Sequence, residues 1–258
     1  MVNTISWRYA LLLAVFSGGM LAAFVADPVA QDLAYHLFAD QRSIFGIPNF
    51  LDVISNLPFA IVGAAGLYFM SRDAGIPSNR LAWHIFFVGV FLTAFGSGYY
   101  HLAPDNDTLV WDRLPMTIAF MGFVSIVIGE YLSEPLAKRL LLPLLVVGAA
   151  SVFYWAHTEA LGRGDLRAYA LVQFLPMLLI PLVVLLYRGR SDLGPYVGLM
   201  IVFYIAAKLL EFFDGAVFAA GGIVSGHSLK HVFAAMAPAS LLYGLRERRY
   251  HAARPLML

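Results

Sequence analysis

Two histidines that open an otherwise apolar stretch are the residues of this sequence best suited to chemistry. His227 and His231, in SGHSLKHVFAAMAPASLLYGL (225–245), are separated by three residues. In a helix, this spacing puts both imidazoles on one face, about 6 Å apart along the axis. Two side chains so placed can share one metal ion. Taken alone, the pair also fits interfacial histidines in water, or histidines that hydrogen-bond to neighbouring backbone.

A third histidine and two more polar residues fall at the same end of neighbouring apolar segments. His101 closes one segment, Asp112 precedes the next, and Ser97 lies one helical turn before His101. Three protein ligands with a fourth position left open form the pattern of a catalytic zinc site. We therefore predict that His101, His227 and His231 bind zinc. Asp112 would orient or deprotonate a water whose pKa zinc lowers to about 7, and the Ser97 hydroxyl would face the same cavity.

Simpler roles remain open for the last two residues. Asp112, in APDNDTLVWDRLPM, could cap the following helix or pair with Arg113. Ser97 lies between Gly96 and Gly98, so it could be a small residue that allows close helix packing.

The composition indicates an integral membrane protein. Of 258 residues, 60% are hydrophobic and 13% are charged, against roughly 25% charged in soluble domains. The net charge of +1 and the lack of long charged runs exclude a nucleic-acid partner. The absence of cysteine excludes disulfides and thiolate chemistry, so any metal must be held by His, Asp or Glu.

The apolar segments predict an all-α integral membrane fold, in which seven transmembrane helices form a core bundle and one extra helix precedes them. A span needs about 20 apolar residues. The eight candidates are 8–26, 51–70, 81–101, 114–131, 139–157, 168–187, 195–213 and 228–245. We expect one polytopic domain over 1–258, with an additional helix at 1–27, the core at 51–245 and a basic cytoplasmic tail at 246–258. The first segment could instead be a signal peptide, although its apolar run is long for one.

The distribution of Lys and Arg predicts the orientation. Four arginines fall on the side that carries the histidines: Arg42, Arg113, Arg163 and Arg167. Eleven basic residues fall on the other side: Arg8, Arg72, Arg80, Lys138, Arg139, Arg188, Arg190, Arg246, Arg248, Arg249 and Arg254. The C-terminus is therefore expected to be cytoplasmic and the candidate site to face the opposite side.

The remaining polar residues have structural explanations. Lys208 and Glu211 are three positions apart, with Asp214 a turn further on, and favour an internal ion pair. Ser55 and Asn56 favour hydrogen bonds between helices. No role is assigned to the other histidines, which are His36, His84, His157 and His251.

The ordered motifs resemble those of a known family. SGYYH (97–101), the Asp of WDRLP (111–115) and HSLKH (227–231) are similar to the S-x3-H, D and H-x3-H signature of the alkaline ceramidases. These belong to a membrane-hydrolase superfamily that also includes adiponectin-receptor-like proteins. GIPNFLDVISNLPF (46–59) is similar to the first core helix of the family, and the resemblance covers about residues 40–245.

The resemblance implies a seven-helix core and a zinc-dependent hydrolase that cleaves the amide of ceramide into fatty acid and sphingoid base. The sequence leaves open whether the natural substrate is ceramide or another N-acyl lipid. It carries zinc ligation over to His101, His227 and His231, water activation to Asp112, and an oxyanion-side hydroxyl to Ser97. Eukaryotic relatives also bind calcium through an acidic cluster before the first core helix. The corresponding region here, FADQRSIFGIPNFLD (38–52), has fewer acids and contains an arginine. Its weak calcium candidates are Asp40, Asn49 and Asp52.

Two other functions fit parts of the pattern. Relatives with receptor roles carry the same zinc site, so a receptor or lipid-binding protein without turnover is the first alternative. An electron carrier with haem held by histidines is the second. The short loops and the altered calcium region favour a bacterial inner membrane.

Overall fold

The regular structure of the chain is helical. The computed structural model describes residues 6–72 and 79–253, in which one isolated β-bridge joins Ile44 and Ile47. The helices are α1 (Trp7–Val25), α2 (Phe50–Ile54), α3 (Leu57–Arg72), α4 (Arg80–Leu102), α5 (Asn106–Tyr131), α6 (Glu134–Ala160), α7 (Arg167–Leu186), α8 (Gly194–Phe212), α9 (Asp214–Gly221) and α10 (Gly226–Ala253). A 3-10 turn, Leu33–His36, lies in the connection from α1 to α2. The predicted all-α class is confirmed for these residues.

Seven helical segments in the described ranges are long and apolar enough to cross a membrane, as an integral membrane protein requires. They are α1, the combined segment Phe50–Arg72, and α4 to α8. The eighth predicted span corresponds to α10, whose 28 residues are long enough to cross. Because α10 begins and ends with ionisable residues, it is more polar than the other seven.

Helix α5 begins earlier than predicted, and this changes the position of Asp112. Asp105 caps the helix: its Oδ1 accepts a 2.6 Å hydrogen bond from the Thr108 amide, and the Thr108 hydroxyl bonds back to the cap. Asp112 therefore lies inside α5, not before it, and the capping alternative for Asp112 is wrong. Arg113 also lies within the helix and is buried, so it is not the loop residue that the orientation argument assumed.

The C-terminal end also differs from the prediction of a separate tail. Helix α10 continues through residues 246–253, and within this extension Arg248 forms an ion pair of 2.8 Å with Glu130 and another with Asp192. These bonds fasten α10 to α5 and to the connection between α7 and α8. Arg254 and residues 1–5 of the predicted N-terminal segment lie outside the described residues.

Helices α4 and α5 pack closely because glycines of α4 face the α5 backbone. A Cβ atom on Gly96 would lie 2.0 Å from the carbonyl oxygen of Trp111, and one on Gly89 would lie 2.4 Å from the Ala119 amide nitrogen. No side chain larger than hydrogen fits at either position. The close helix packing considered for Ser97 is thus made by its neighbour Gly96. The contact of Gly96 with α5 brings Ser97 next to Asp112.

The two ends of the bundle differ in character. The predicted cytoplasmic half contains an apolar core in which Trp83, Phe87, Leu241 and Leu245 are fully buried. The opposite end is covered by the connection between α1 and α2, where Phe38 is 5% exposed. The candidate site lies beneath this cover.

Candidate metal centre

Three histidines from two distant parts of the chain meet in the interior. His101 lies in the last turn of α4, and His227 and His231 lie at the start of α10. One ring nitrogen from each residue lies within 4.8 Å of the others, and all three side chains are buried. The predicted convergence is confirmed, and the group could hold a metal ion.

The arrangement of the three rings suits ligands that surround one ion. All three pairs of ring centroids are 4.9 Å apart, and the Nε2 atoms of His101 and His231 are 3.3 Å apart. Tetrahedral zinc with bonds of about 2.0–2.1 Å places neighbouring nitrogens about 3.4 Å apart. Axial ligands on opposite faces of a haem would be about 4 Å apart at nitrogen with the macrocycle between them. The spacing therefore favours a compact ion over haem.

Ser55 determines which nitrogen of His231 is free. The Ser55 hydroxyl has one proton, which it donates to the Asp52 carbonyl at 3.1 Å. With that proton directed to the carbonyl, the hydrogen-bond network assigns Nδ1–H of His231, 2.8 Å away, as the donor to the Ser55 oxygen. This tautomer leaves the Nε2 lone pair directed toward His101, as a metal ligand requires. The bond between helices predicted for Ser55 is present, and it ends on a candidate ligand.

His101 has a buried ring nitrogen without a protein partner. Its Nε2 faces His231, whereas its Nδ1 forms no hydrogen bond with the described residues. The backbone is held by Asn49, whose side-chain amide donates to the His101 carbonyl at 2.8 Å. Phe38 covers the rings of His101 and His227 at centroid distances of 4.6 and 4.5 Å. With Nε2 as the candidate ligand atom, Nδ1 carries the ring proton, and this buried N–H donor has no acceptor among the described residues.

A cationic cluster lies directly beside His227. The Lys230 ammonium group is 3.1 Å from His227 Nε2 and 3.0 Å from Glu211 Oε1. Glu211 also pairs with Lys208 at 2.5 Å, as predicted. Asp214 does not join this cluster, because its carboxylate accepts from the backbone amides of His227 and Ala39. Glu211 thus offsets one of the two positive charges that would otherwise repel a bound cation.

Ser97 and Asp112 line the same cavity as His231. Both are buried, and their side chains interact. This cavity has a volume of 340 Å³. Asp112 forms no ion pair with Arg113 within the described residues, so the pairing considered for these neighbours is wrong.

The cavity continues from His231 into the apolar centre of the bundle. Along α4, the lining passes from Ser97 through Val90 to Phe86, and along α5 from Asp112 to Phe123. In each helix the two end residues are 11 positions apart, or roughly 16 Å along the helix axis. An apolar channel of this depth can accept a lipid chain.

The three calcium candidates form hydrogen bonds with three different partners. Asp40 forms a two-pronged bond with Arg42 at 2.8 and 2.7 Å, which holds the pKa of the Asp40 carboxyl below its usual value. Asn49 is bonded to His101, and Asp52 accepts from Ser228 at 2.5 Å. Each side chain already has its own partner, so the geometry does not support a calcium site formed by these three.

Two residues beside the site had no distinguishing sequence signal. Ser55 was one of several serines near an apolar segment, and Phe38 was one of 20 phenylalanines. Their contacts depend on which helices meet in space, which helical periodicity does not encode.

The site thus combines three histidines, a carboxylate and a hydroxyl at the head of an apolar cavity. No protein-family model matches this chain, and a search of curated proteins finds no significant match.

Proposed function

We propose that the protein is a zinc-dependent membrane hydrolase that cleaves the amide bond of ceramide or of another N-acyl lipid. The observation that carries this proposal is that His231, one of three buried histidines grouped closely enough to hold one ion, lines the 340 Å³ cavity together with Ser97 and Asp112. The resemblance to the alkaline ceramidases supports the choice of an amide.

The residues present divide the work in the following way. His101, His227 and His231 hold the ion, and Ser55 keeps His231 in the required tautomer. When bound, zinc would polarise the carbonyl group and acidify water. Asp112 accepts a proton from the attacking water and returns it to the departing amine as the carbon–nitrogen bond breaks. Ser97 donates a hydrogen bond to the oxygen on which negative charge develops.

We also propose that α10 is the eighth span, with the C-terminus in the cytoplasm and the site near the opposite face of a bacterial inner membrane. Arg113 is removed from the earlier tally because it lies within α5, which leaves only Arg42, Arg163 and Arg167 on the side of the histidines. Cysteine introduced at Arg163 and at Glu247 should react with an impermeant maleimide from opposite sides of the membrane. Labelling of both from one side contradicts this topology.

The first test combines metal content and turnover. Protein purified in detergent without chelator should contain about one zinc per chain, and it should release fatty acid from fluorescent ceramide or from another N-acyl lipid. The double variant His227→Ala, His231→Ala should lose both properties. His84→Ala serves as the matched control, because His84 lies on the same helix as His101 and, among the described residues, hydrogen-bonds to the Arg80 carbonyl and not to the candidate site.

The outcomes separate the hydrolase from its alternatives. Absence of zinc in the folded protein rejects the metal site and the hydrolase together. Bound zinc and bound lipid without release of fatty acid from any N-acyl lipid tested would instead favour the receptor or lipid-binding function.

A further inference from the structure

Arg113 is a buried cation whose bonding capacity is only partly used. Its side chain is 6% exposed, and Nη2 donates to Gln31 Oε1 at 2.6 Å. Nη1 is buried and has no hydrogen-bond partner. No carboxylate of the described residues forms an ion pair with this guanidinium. A buried guanidinium without a carboxylate partner is costly, which indicates that a ligand from outside the chain supplies the missing hydrogen-bond acceptor.

The surroundings of Arg113 fix the direction in which it can bind. The guanidinium lies 4.1 Å from the ring centre of Trp155 and 4.5 Å from that of Tyr169. These cation–π contacts hold the faces of the group and leave its N–H edge available. A planar edge with paired donors matches a carboxylate in two-pronged geometry.

The position of Arg113 in the cavity indicates which part of a substrate it meets. It lines the same cavity as Asp112, together with Gln31 and Tyr35 of the covering connection. The apolar part of the cavity extends the other way, toward Phe86 and Phe123. An acyl chain in that part leaves the amine portion of the substrate at the end where Arg113 lies.

The charges that line the cavity support an acidic ligand. Two carboxylates, Asp112 and Glu211, face three cations, Arg113, Lys208 and Lys230. Both lysines pair with Glu211. Of the basic residues described around the cavity, Arg113 is the one without an ion-pair partner.

We propose that Arg113 binds a carboxylate on the amine portion of the substrate, so that N-acyl amino acids are preferred over neutral N-acyl amides. This proposal rests on the proposed amide hydrolysis for its assignment of substrate, whereas the predicted binding preference does not require turnover.

The test compares two ligands that differ mainly at the group Arg113 would meet. N-lauroylglycine carries a carboxylate where N-lauroylethanolamine carries a neutral hydroxymethyl group. Affinity is measured by isothermal titration calorimetry, and release of lauric acid is measured on the same preparation of the full protein. The variants are Arg113→Gln, Arg113→Lys and, as a matched control, Arg163→Gln, which removes a positive charge from an exposed loop.

We expect the wild-type protein to bind the acid about tenfold more tightly or better, as hydrogen bonds between charged groups produce. Arg113→Gln should remove this preference and leave affinity for the neutral amide unchanged. Arg113→Lys should keep part of it, because the charge remains but the paired donors are lost. Arg163→Gln should behave as wild type.

Equal affinity of the wild-type protein for both ligands overturns the proposal, as does a preference that survives in Arg113→Gln. If Arg113→Gln does not fold, the proposal is tested by the wild-type comparison and by Arg113→Lys. Full retention of the preference in Arg113→Lys would contradict the claim that two N–H donors of Arg113 bind the carboxylate. Preferential binding without hydrolysis of either ligand supports the carboxylate site and rejects the amidase. Hydrolysis of both ligands with equal kcat/KM supports the amidase and rejects the carboxylate site.

Discussion

The bond between Ser55 and His231 makes a sharp prediction about metal affinity. Replacing Ser55 with alanine removes the acceptor for His231 Nδ1, which is 2.8 Å away. The imidazole can then place its proton on Nε2, the nitrogen that faces His101. Zinc binding must reverse this change before His231 can act as a ligand.

The magnitude follows from the number of ligands affected. Removing a hydrogen bond to a metal-ligating histidine costs about 10–100-fold in metal affinity. Ser55 supports one of three ligands, so we expect the lower end of the range, about tenfold, equivalent to about 1.4 kcal/mol. Ser55→Thr keeps the hydroxyl and should retain most of the affinity.

Zinc affinity can be measured by competition with a chromogenic chelator in detergent. Ser71→Ala is the matched control, because Ser71 also donates to a carbonyl three residues earlier, that of Tyr68, at 2.8 Å, but has no histidine partner. If Ser55→Ala binds zinc as tightly as Ser71→Ala does, packing and not the hydroxyl orients His231, and the reasoning fails.

Three more perturbations test separate parts of the site and fold. Asp112→Asn should retain zinc but lower amide hydrolysis by about 10²–10⁴-fold, as loss of a proton-transfer group does. The control is Asp107→Asn, at an exposed position of the same helix. Unchanged activity in Asp112→Asn would reject the proton transfer. Glu211→Gln leaves two lysines without their carboxylate beside His227, so zinc affinity should fall by about tenfold or more, and tighter binding in the chelator assay would contradict the charge argument. The Arg167 side chain bonds to Asp165 and holds the pKa of that carboxyl below its usual value, so the stabilisation is present above the unfolded pKa of about 3.9 and is lost as pH falls toward the folded pKa. The thermal midpoint of Asp165→Asn should therefore lie below that of wild type at pH 7, and the difference should shrink below pH 4; a difference that does not change with pH would contradict this assignment.

The sequence was informative about features that one segment determines by itself, such as the position of a helix and the residues at its ends. Apolar length predicted the positions of the helices to within a few residues at most ends, and the positions of His101, His227 and His231 near helix ends predicted their convergence. The start of α5 was missed because the predicted span began at the apolar run, whereas Asp105 and Thr108 cap the helix earlier. A polar first turn carries no hydropathy signal but can be identified from its capping residues.

Contacts between distant segments were beyond the reach of the sequence. The unpaired edge of Arg113 depends on Gln31, Trp155 and Tyr169, which lie far away along the chain. Arg113 was counted as a loop charge because the predicted span began at residue 114, and its burial only emerges when the surrounding helices are assembled. The same applies to Ser55, which meets a histidine 176 positions later.

The polar start of α10 has a consequence for how the protein is inserted into the membrane. Lys230 is costly to place in lipid on its own, and its ion-pair partner Glu211 lies 19 residues earlier, near the end of α8. The amide of His227 likewise depends on Asp214, at the start of α9. Helix α10 therefore cannot satisfy its polar groups until α8 and α9 are beside it. If α10 is the eighth span, as proposed, we expect the segment from α8 to α10 to enter the membrane as one unit, and His227 and His231 to meet His101 only once α10 is in place.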